Sequence, residues 1–200
     1  MIKIWEILKR KSVIWILLSL PMIGVLARAF TYPLNSFKFF SLSLEVCGFT
    51  AVSLLGIVLS LNPLVKLIPQ AALFNVLNRN RRAIGLGSFY YAFFHACSYF
   101  LKKFLKTGEW PWIHLLHPIV IFGLLAFLLL AILAATSNDF SIKKLGFTEW
   151  KNIHRASYAI EAMVFIHLVL QRGTPRLVGL FLFAPLVLMQ LMRCRRAGDS

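Results

Sequence analysis

Residues 150–171, WKNIHRASYAIEAMVFIHLVLQ, form the stretch from which the fold can be inferred. The stretch is mostly apolar and is long enough for one helix to cross a bilayer, which takes about 20 such residues. It carries His154 near one end and His167 near the other, while a second apolar run, FYYAFFHACSYFL at residues 89–101, carries His95. Because imidazole is costly in hydrocarbon, histidines inside membrane segments indicate functional sites.

The composition is that of a membrane protein. Of the 200 residues, 59% are hydrophobic and 14% are charged, whereas average chains are about 45–50% apolar and about 25% charged. We predict an all-α membrane protein, with a single domain over residues 1–200 that forms a six-transmembrane-helix bundle. The six apolar runs predict spans at about 13–27, 42–65, 83–101, 113–135, 150–171 and 177–192. The first run lacks a small-residue cleavage site and is expected to be retained as a helix.

The net charge of +15 is a topology signal and does not indicate a nucleic-acid partner. Lys and Arg lie in the gaps between apolar runs, as they do in the cytoplasmic loops of membrane proteins. If the six spans alternate in direction, 15 of the 22 Lys and Arg residues fall on the side that holds both termini. Both termini are therefore predicted to be cytoplasmic. The opposite side holds seven: Arg28, Lys38, Lys102, Lys103, Lys106, Arg172 and Arg176.

His95 and His167 fall at the same predicted depth. They precede the outer residues Lys102 and Arg172 by seven and five positions. At about 1.5 Å per residue, these offsets are depths of roughly 10 and 8 Å. Two imidazoles at one depth on two helices suit the axial ligation of a haem iron. We predict that His95 and His167 ligate haem, and an interhelical hydrogen bond is the alternative for each residue alone.

His154 lies about 20 Å nearer the cytoplasm than His167 and, on an ideal helix, about 140° around the axis. The corresponding level of the third span holds Arg81 and Arg82 instead of a histidine. His154 is therefore predicted to ligate a second, inner haem with an unusual partner, or to serve the site of an electron donor.

Two side chains on the helix face of His154 support the second alternative. Tyr158 and Glu161 follow His154 at i+4 and i+7, and this stripe suits a quinone or flavin pocket. A salt bridge to a neighbouring helix is the alternative for Glu161. Three arginines at this face are candidates for holding haem propionates or an anionic donor: Arg81, Arg82 and Arg155.

The remaining motifs carry little chemistry. His114 and His117 stand beside Trp110 and Trp112 and are interpreted as interfacial residues, with a metal site as the less favoured alternative. The three cysteines form no iron–sulfur or c-type haem motif. No hydrolase motif, P-loop or Gly-rich dinucleotide motif is present, so no residue is predicted to be catalytic and the electrons are expected from another molecule.

Four stretches resemble the MsrQ (YedZ) family, the haem-binding membrane subunits of the methionine sulfoxide reductase system, within the ferric reductase-like transmembrane superfamily. These are NRRAIGLGSFYYAFFHACSY at residues 80–99, TSNDFSIKKLGFTEWKNIHRASY at 136–158, LNPL at 61–64, and His167. Two residues, His117 and Glu161, depart from the family pattern.

The resemblance implies b-type haem in a bacterial inner membrane protein, with one haem expected and a second left open. It also implies a cytoplasmic-side donor, either a membrane quinol or a reduced flavin such as FMN from a separate flavin reductase. The implied acceptor is a periplasmic molybdopterin-containing reductase. Two alternatives stay open: a haem subunit of another oxidoreductase or ferric reductase, and a non-redox small transporter or channel that uses Glu45, Glu161 and the histidines.

Overall fold

The computed structural model describes residues 10–184 and 186, and every regular element among them is helical. The chain divides into two compact units, Met1–Pro111 and Trp112–Ser200. The helices of the first unit are α1 (Lys11–Ala27), α2 (Phe37–Leu67), α3 (Ala72–Arg79) and α4 (Arg81–Thr107). Those of the second are α5 (Pro118–Thr136), α6 (Asp139–Leu145), α7 (Phe147–His154), α8 (Ala156–Val169) and α9 (Thr174–Val178). A π-helical turn, Gly179–Phe183, follows α9.

Three segments of the described chain are long and apolar enough to cross a membrane. They are Lys11–Phe30, Phe37–Leu67 and Pro118–Thr136, with mean hydropathies of 2.1, 2.0 and 2.9. The all-α prediction is thus confirmed for the described residues, while the six-span count stays a prediction. The end of the sixth predicted span, Lys3 and Lys9 near the N-terminus and the arginines near the C-terminus lie outside the described residues. The cytoplasmic location of both termini stays a prediction.

The prediction of one helix over residues 150–171 is wrong. The chain forms α7 and α8, which are separated at Arg155. The amide of Arg155 still donates to the carbonyl of Lys151 at 3.2 Å, but the amide of Tyr158 donates to the Arg155 carbonyl three residues back. Since α8 has only 14 residues, it extends about 21 Å and is shorter than the hydrocarbon core.

The predicted fourth span also starts too early. Trp112–Leu116 is a 3-10 helix, and α5 begins at Pro118. Proline suits the first position of a helix because its missing N–H would have no partner there. His117 caps this helix, since its Nδ1 accepts a hydrogen bond from the amide of Ile119 at 3.3 Å.

Small side chains let α2 and α4 pack closely along one another. Ser43, Cys47 and Ala51 recur every fourth residue on α2 and are buried. Across the interface, the Ser98 hydroxyl donates to the Ser43 hydroxyl at 2.8 Å, and the Ser88 hydroxyl donates to the Ala51 carbonyl at 2.9 Å. Small residues and short interhelical hydrogen bonds stabilise helix pairs in lipid, where burial of apolar surface contributes little.

Tyr91 of α4 joins this pair to α1. Its hydroxyl donates to the carbonyl of Leu18 at 2.6 Å and accepts from the amide of Met22 at 3.0 Å. A regular helix would pair those two backbone groups with each other. Pro21 stands beside them and removes the neighbouring N–H from the same turn. Tyr91 therefore satisfies backbone groups in a turn that proline weakens.

In the second unit, α5 packs against α8, and α8 packs against the π-helical turn. Ala126, Leu130 and Leu133 of α5 are buried, as are Ile160 and Leu168 of α8. Gly179 of the π-helical turn lies so close to α8 that a Cβ there would come within 2.9 Å of the Cβ of Leu168. Each unit thus contains a tightly packed helix pair, α2 with α4 and α5 with α8.

We predict that Tyr91→Phe destabilises the protein, because the backbone groups of Leu18 and Met22 lose their shared partner. The expected loss in the free energy of unfolding is about 1–3 kcal/mol, measured by denaturation in detergent micelles. Tyr90→Phe is the matched control, since Tyr90 is 52% exposed whereas Tyr91 is 4% exposed. Equal stabilities of the two variants would contradict this role of Tyr91.

Candidate functional site

His95 lies on α4 and points its ring at the backbone of α2. Its Nδ1 is 2.8 Å from the carbonyl oxygen of Leu44. Because a carbonyl only accepts hydrogen bonds, Nδ1 must carry the proton. In a neutral imidazole the lone pair then belongs to Nε2, the nitrogen on the far side of the ring.

A glycine of α2 makes this contact sterically feasible. A Cβ placed on Gly48 would come within 2.5 Å of Nδ1 and 2.8 Å of Cε1 of His95. Real Cβ atoms essentially never approach other atoms so closely. The ring of His95 therefore occupies the space that a side chain at position 48 would fill.

His167 of α8 is held in the same way by α5. Its Nδ1 is 2.7 Å from the carbonyl oxygen of Ile119. A Cβ on Gly123 would come within 2.8 Å of Nδ1 and 2.9 Å of Cε1 of this ring. In both helix pairs the accepting carbonyl belongs to the residue four positions before the glycine. Each unit thus contains one histidine fixed by one carbonyl and one glycine, and we call each such group a histidine half-site.

Gln171 contacts the other nitrogen of His167. The Gln171 amide nitrogen lies 3.0 Å from His167 Nε2 and also donates to the His167 carbonyl at 3.3 Å. The Ile119 carbonyl requires a proton on Nδ1, and the Gln171 amide donor requires a lone pair on Nε2. Both contacts therefore indicate the same tautomer, in which Nε2 carries the lone pair. This is the nitrogen that a metal would take.

His154 has different surroundings at the end of α7. Its ring packs on Trp150, with ring centroids 4.1 Å apart. Its Nε2 is 3.3 Å from the hydroxyl of Thr136, the last residue of α5. The Thr136 hydroxyl donates to the Ile132 carbonyl at 2.8 Å, so it accepts from His154. Trp150 adds a second link, from its indole N–H to the Thr136 carbonyl at 2.9 Å.

The predicted stripe of His154, Tyr158 and Glu161 crosses the end of α7, and its members differ in exposure. The helix is interrupted at Arg155, Tyr158 is 53% exposed, and Glu161 is completely buried. A common quinone or flavin pocket formed by these side chains stays a prediction.

The arginines predicted to face an anion are all exposed. Arg81 and Arg82 are the first two residues of α4, and no acidic residue lies in this first turn. Their positive charges add to the positive end of the helix dipole, which favours an anion nearby. The Arg81 guanidinium donates to the Asn62 side chain at 3.3 Å. Arg155 lies at the break between α7 and α8.

Sequence reasoning missed both glycines of the half-sites. Gly48 stands in EVCGFT, in the first third of the predicted second span, and Gly123 stands in VIFGLL, near the middle of the predicted fourth span. That pattern is a weak signal because glycine is frequent in transmembrane helices. The partners of the histidine rings depend on which helix faces meet, and only the structure provides this information. Within the described residues, no group of three or more His, Cys, Asp or Glu side chains is placed to hold a metal ion.

Residues 47–169 match the family described as the ferric reductase like transmembrane component. The chain belongs to this family. Both histidines and both glycines of the half-sites lie inside the matched region of this ferric reductase-like protein. Together with the apolar helices, the match identifies a multi-pass membrane protein.

Comparison with individual relatives confirms the predicted resemblance to the MsrQ family. The protein-methionine-sulfoxide reductase heme-binding subunit MsrQ of Agrobacterium fabrum is 34% identical over 123 residues, 60% of this chain and 57% of that protein. MsrQ of Bordetella pertussis is 35% identical over 126 residues, 59% of this chain and 55% of its own length. The chain therefore spans little more than half the length of these relatives.

A relative of a different name has higher identity over a shorter region. The magnetosome protein MamZ of Magnetospirillum gryphiswaldense is 43% identical over 95 residues, 47% of this chain but 15% of MamZ. No solved structure gives a significant match to the chain.

We predict opposite neutral tautomers for the histidines, because their hydrogen-bond partners differ. His95 and His167 should carry the proton on Nδ1, whereas His154 should carry it on Nε2. Nitrogen-15 chemical shifts of histidine-labelled protein without bound ligand will distinguish the two forms. Protonation of Nε2 in His95 and His167 would contradict the geometry of the half-sites.

Proposed function

We propose that this chain is a b-type haem membrane subunit that carries electrons across the inner membrane. The proposed donor is on the cytoplasmic side, and the proposed acceptor is a periplasmic molybdopterin-containing methionine sulfoxide reductase. His95 and His167 are the proposed axial ligands of the haem iron. When bound, haem supplies one-electron oxidation and reduction, while the protein supplies ligands, burial and orientation.

The repeated half-site is the observation that carries this proposal. Imidazoles that ligate metals commonly donate their second N–H to a backbone carbonyl or carboxylate, which fixes the ring and raises its basicity. His95 and His167 both make this bond, to the carbonyls of Leu44 and Ile119. A purely structural histidine needs only one hydrogen-bond partner in the membrane. A structural role would not require that two histidines both bond to a helix carbonyl one turn before a glycine.

The donor set fits haem iron. Imidazole nitrogen is a usual axial ligand of b-type haem, and Nε2 is the ring nitrogen that each half-site turns away from the accepting carbonyl. At His167 the Gln171 amide would have to turn aside for Nε2 to ligate iron, because one lone pair cannot serve both. Release of that contact would involve only the side chain of Gln171, which lies two residues past the end of α8.

The matching predicted depths of His95 and His167 support a single haem ligated by both. His154 is the proposed ligand or neighbour of an inner haem, or part of the donor site. Arg81, Arg82 and Arg155 are proposed to hold propionates or an anionic donor at the cytoplasmic face, where α4 begins with two adjacent positive charges.

The proposed acceptor rests on the similarity to MsrQ proteins, whose name assigns them to protein-methionine-sulfoxide reductase. Reduction of one methionine sulfoxide consumes two electrons and two protons and releases water, so the subunit would deliver electrons in two steps. A membrane quinol or a reduced flavin such as FMN, supplied by a cytoplasmic flavin reductase, would provide them.

A haem subunit of another oxidoreductase, or of a ferric reductase, is the second candidate. The 43% sequence identity to a short part of MamZ favours this second candidate, because a similar region occurs in a protein of a different name. Electron transfer to a purified molybdopterin reductase, compared with transfer to ferric chelates, separates the two candidates.

We predict that His95→Ala and His167→Ala each remove most of the haem. The wild-type protein, purified from haem-replete cells, should show a b-type Soret band and a reduced-minus-oxidised spectrum. His154→Ala should leave the haem held by His95 and His167 in place. If a second haem is present, His154→Ala should lower the haem content from two to one per chain.

His114→Ala is the matched control because His114 lies in a 3-10 turn outside both half-sites. Haem per chain in this variant should equal that of the wild type. A colourless wild-type preparation would rule out the proposed function, and undiminished haem in the double variant His95→Ala/His167→Ala would rule out these ligands.

A further inference from the structure

We propose that Gly48 and Gly123 are positioning residues for the two haem ligands. Each glycine admits one imidazole ring to the carbonyl of its partner helix and thereby directs Nε2 toward the iron. The proposal rests on the proposed haem function and adds two residues to it, together with a physical reason for their identity.

The first argument is steric. The atoms that a Cβ at position 48 would meet are Nδ1, Cε1 and Cγ of His95, at 2.5, 2.8 and 3.5 Å. At position 123 the same three atoms of His167 lie at 2.8, 2.9 and 3.6 Å. Since contacts below 3.0 Å are essentially never found for real Cβ atoms, the ring must move in either case. Movement away from the glycine lengthens the hydrogen bonds of 2.8 and 2.7 Å that hold Nδ1.

The second argument is the repetition. Leu44, Gly48 and His95 have the same relation in the first unit as Ile119, Gly123 and His167 in the second. The carbonyl comes one helical turn before the glycine, so a ring lying over the glycine reaches that carbonyl. The two helix pairs are distinct parts of the chain, and a chance packing contact would not produce the same three-residue arrangement in both.

The third argument is that two other helix glycines, Gly24 and Gly85, lack this contact. A Cβ on Gly24 of α1 or Gly85 of α4 would meet no atom within 4 Å. Alanine is favoured over glycine in a helix by about 1 kcal/mol. Replacement of glycine by alanine should therefore be harmless or stabilising at 24 and 85, and damaging at 48 and 123, where the added methyl group meets a histidine ring.

The test uses the full-length protein in detergent, with the variants Gly48→Ala, Gly123→Ala, Gly24→Ala and Gly85→Ala. Haem affinity is measured by titration of protein freed of haem, and ligation is followed by low-temperature electron paramagnetic resonance of the ferric form. Gly48→Ala and Gly123→Ala should bind haem about 10–100-fold more weakly, the range seen when the groups that orient metal ligands are removed. The remaining haem should show loss of low-spin bis-imidazole signal. Gly24→Ala and Gly85→Ala should match the wild type in both measurements.

A double-variant comparison separates positioning from a general folding defect. Without the ring of His95, a methyl group at position 48 has space, so His95→Ala/Gly48→Ala should fold and bind haem as His95→Ala alone does. Circular dichroism and size-exclusion chromatography report the folding. If Gly48→Ala disrupts folding equally in the wild-type and the His95→Ala backgrounds, the clash is not with His95 and the proposal is wrong.

The outcomes also distinguish this proposal from the function on which it rests. A wild-type protein that binds no haem would contradict both the proposed haem function and the role of the glycines. Normal haem affinity and an unchanged low-spin signal in Gly48→Ala and Gly123→Ala, with haem lost in His95→Ala and His167→Ala, would overturn the role of the glycines and leave the haem function intact.

Discussion

One hydrogen bond, from an imidazole Nδ1–H to a helix carbonyl and made once in each unit, constrains the rest of the structure. A polar ring in hydrocarbon costs several kcal/mol unless its groups are hydrogen-bonded. Helix carbonyls are already engaged with the amide one turn later, so the ring must approach the helix backbone closely to share one. Only glycine leaves room for that approach at positions 48 and 123. The bond determines where the helices touch, which tautomer each histidine adopts and which nitrogen is presented to a metal.

Packing elsewhere follows from this close approach. The pair α2 and α4 meets through serines, Cys47 and Ala51, and short hydroxyl hydrogen bonds replace the large apolar side chains of a soluble core. Tyr91 then fixes α1 to the same pair by bonding to backbone groups next to Pro21. An arrangement held by directional bonds keeps an imidazole orientation well defined, and a stable orientation is what an electron-carrying cofactor requires from its ligands.

The sequence predicts the parts of this account that depend on local composition. Apolar runs predict α1, α2 and α5, and burial in such runs singles out His95 and His167. The break at Arg155 is missed because hydropathy stays high through residues 156–169 and no proline or glycine marks the interruption. Gly48, Gly123 and Tyr91 contact residues that are 44 to 73 positions away in the sequence. These contacts depend on which helix faces meet. The partner of His154, Thr136, is missed for the same reason.

A high-resolution structure of the full chain loaded with haem tests the central claim most directly. The account predicts that Nε2 of His95 and Nε2 of His167 bond to the same iron, while both Nδ1 atoms keep their hydrogen bonds to the carbonyls of Leu44 and Ile119. Iron ligated through an Nδ1 atom, by only one of the two histidines, or by rings that have left Gly48 and Gly123 would contradict it.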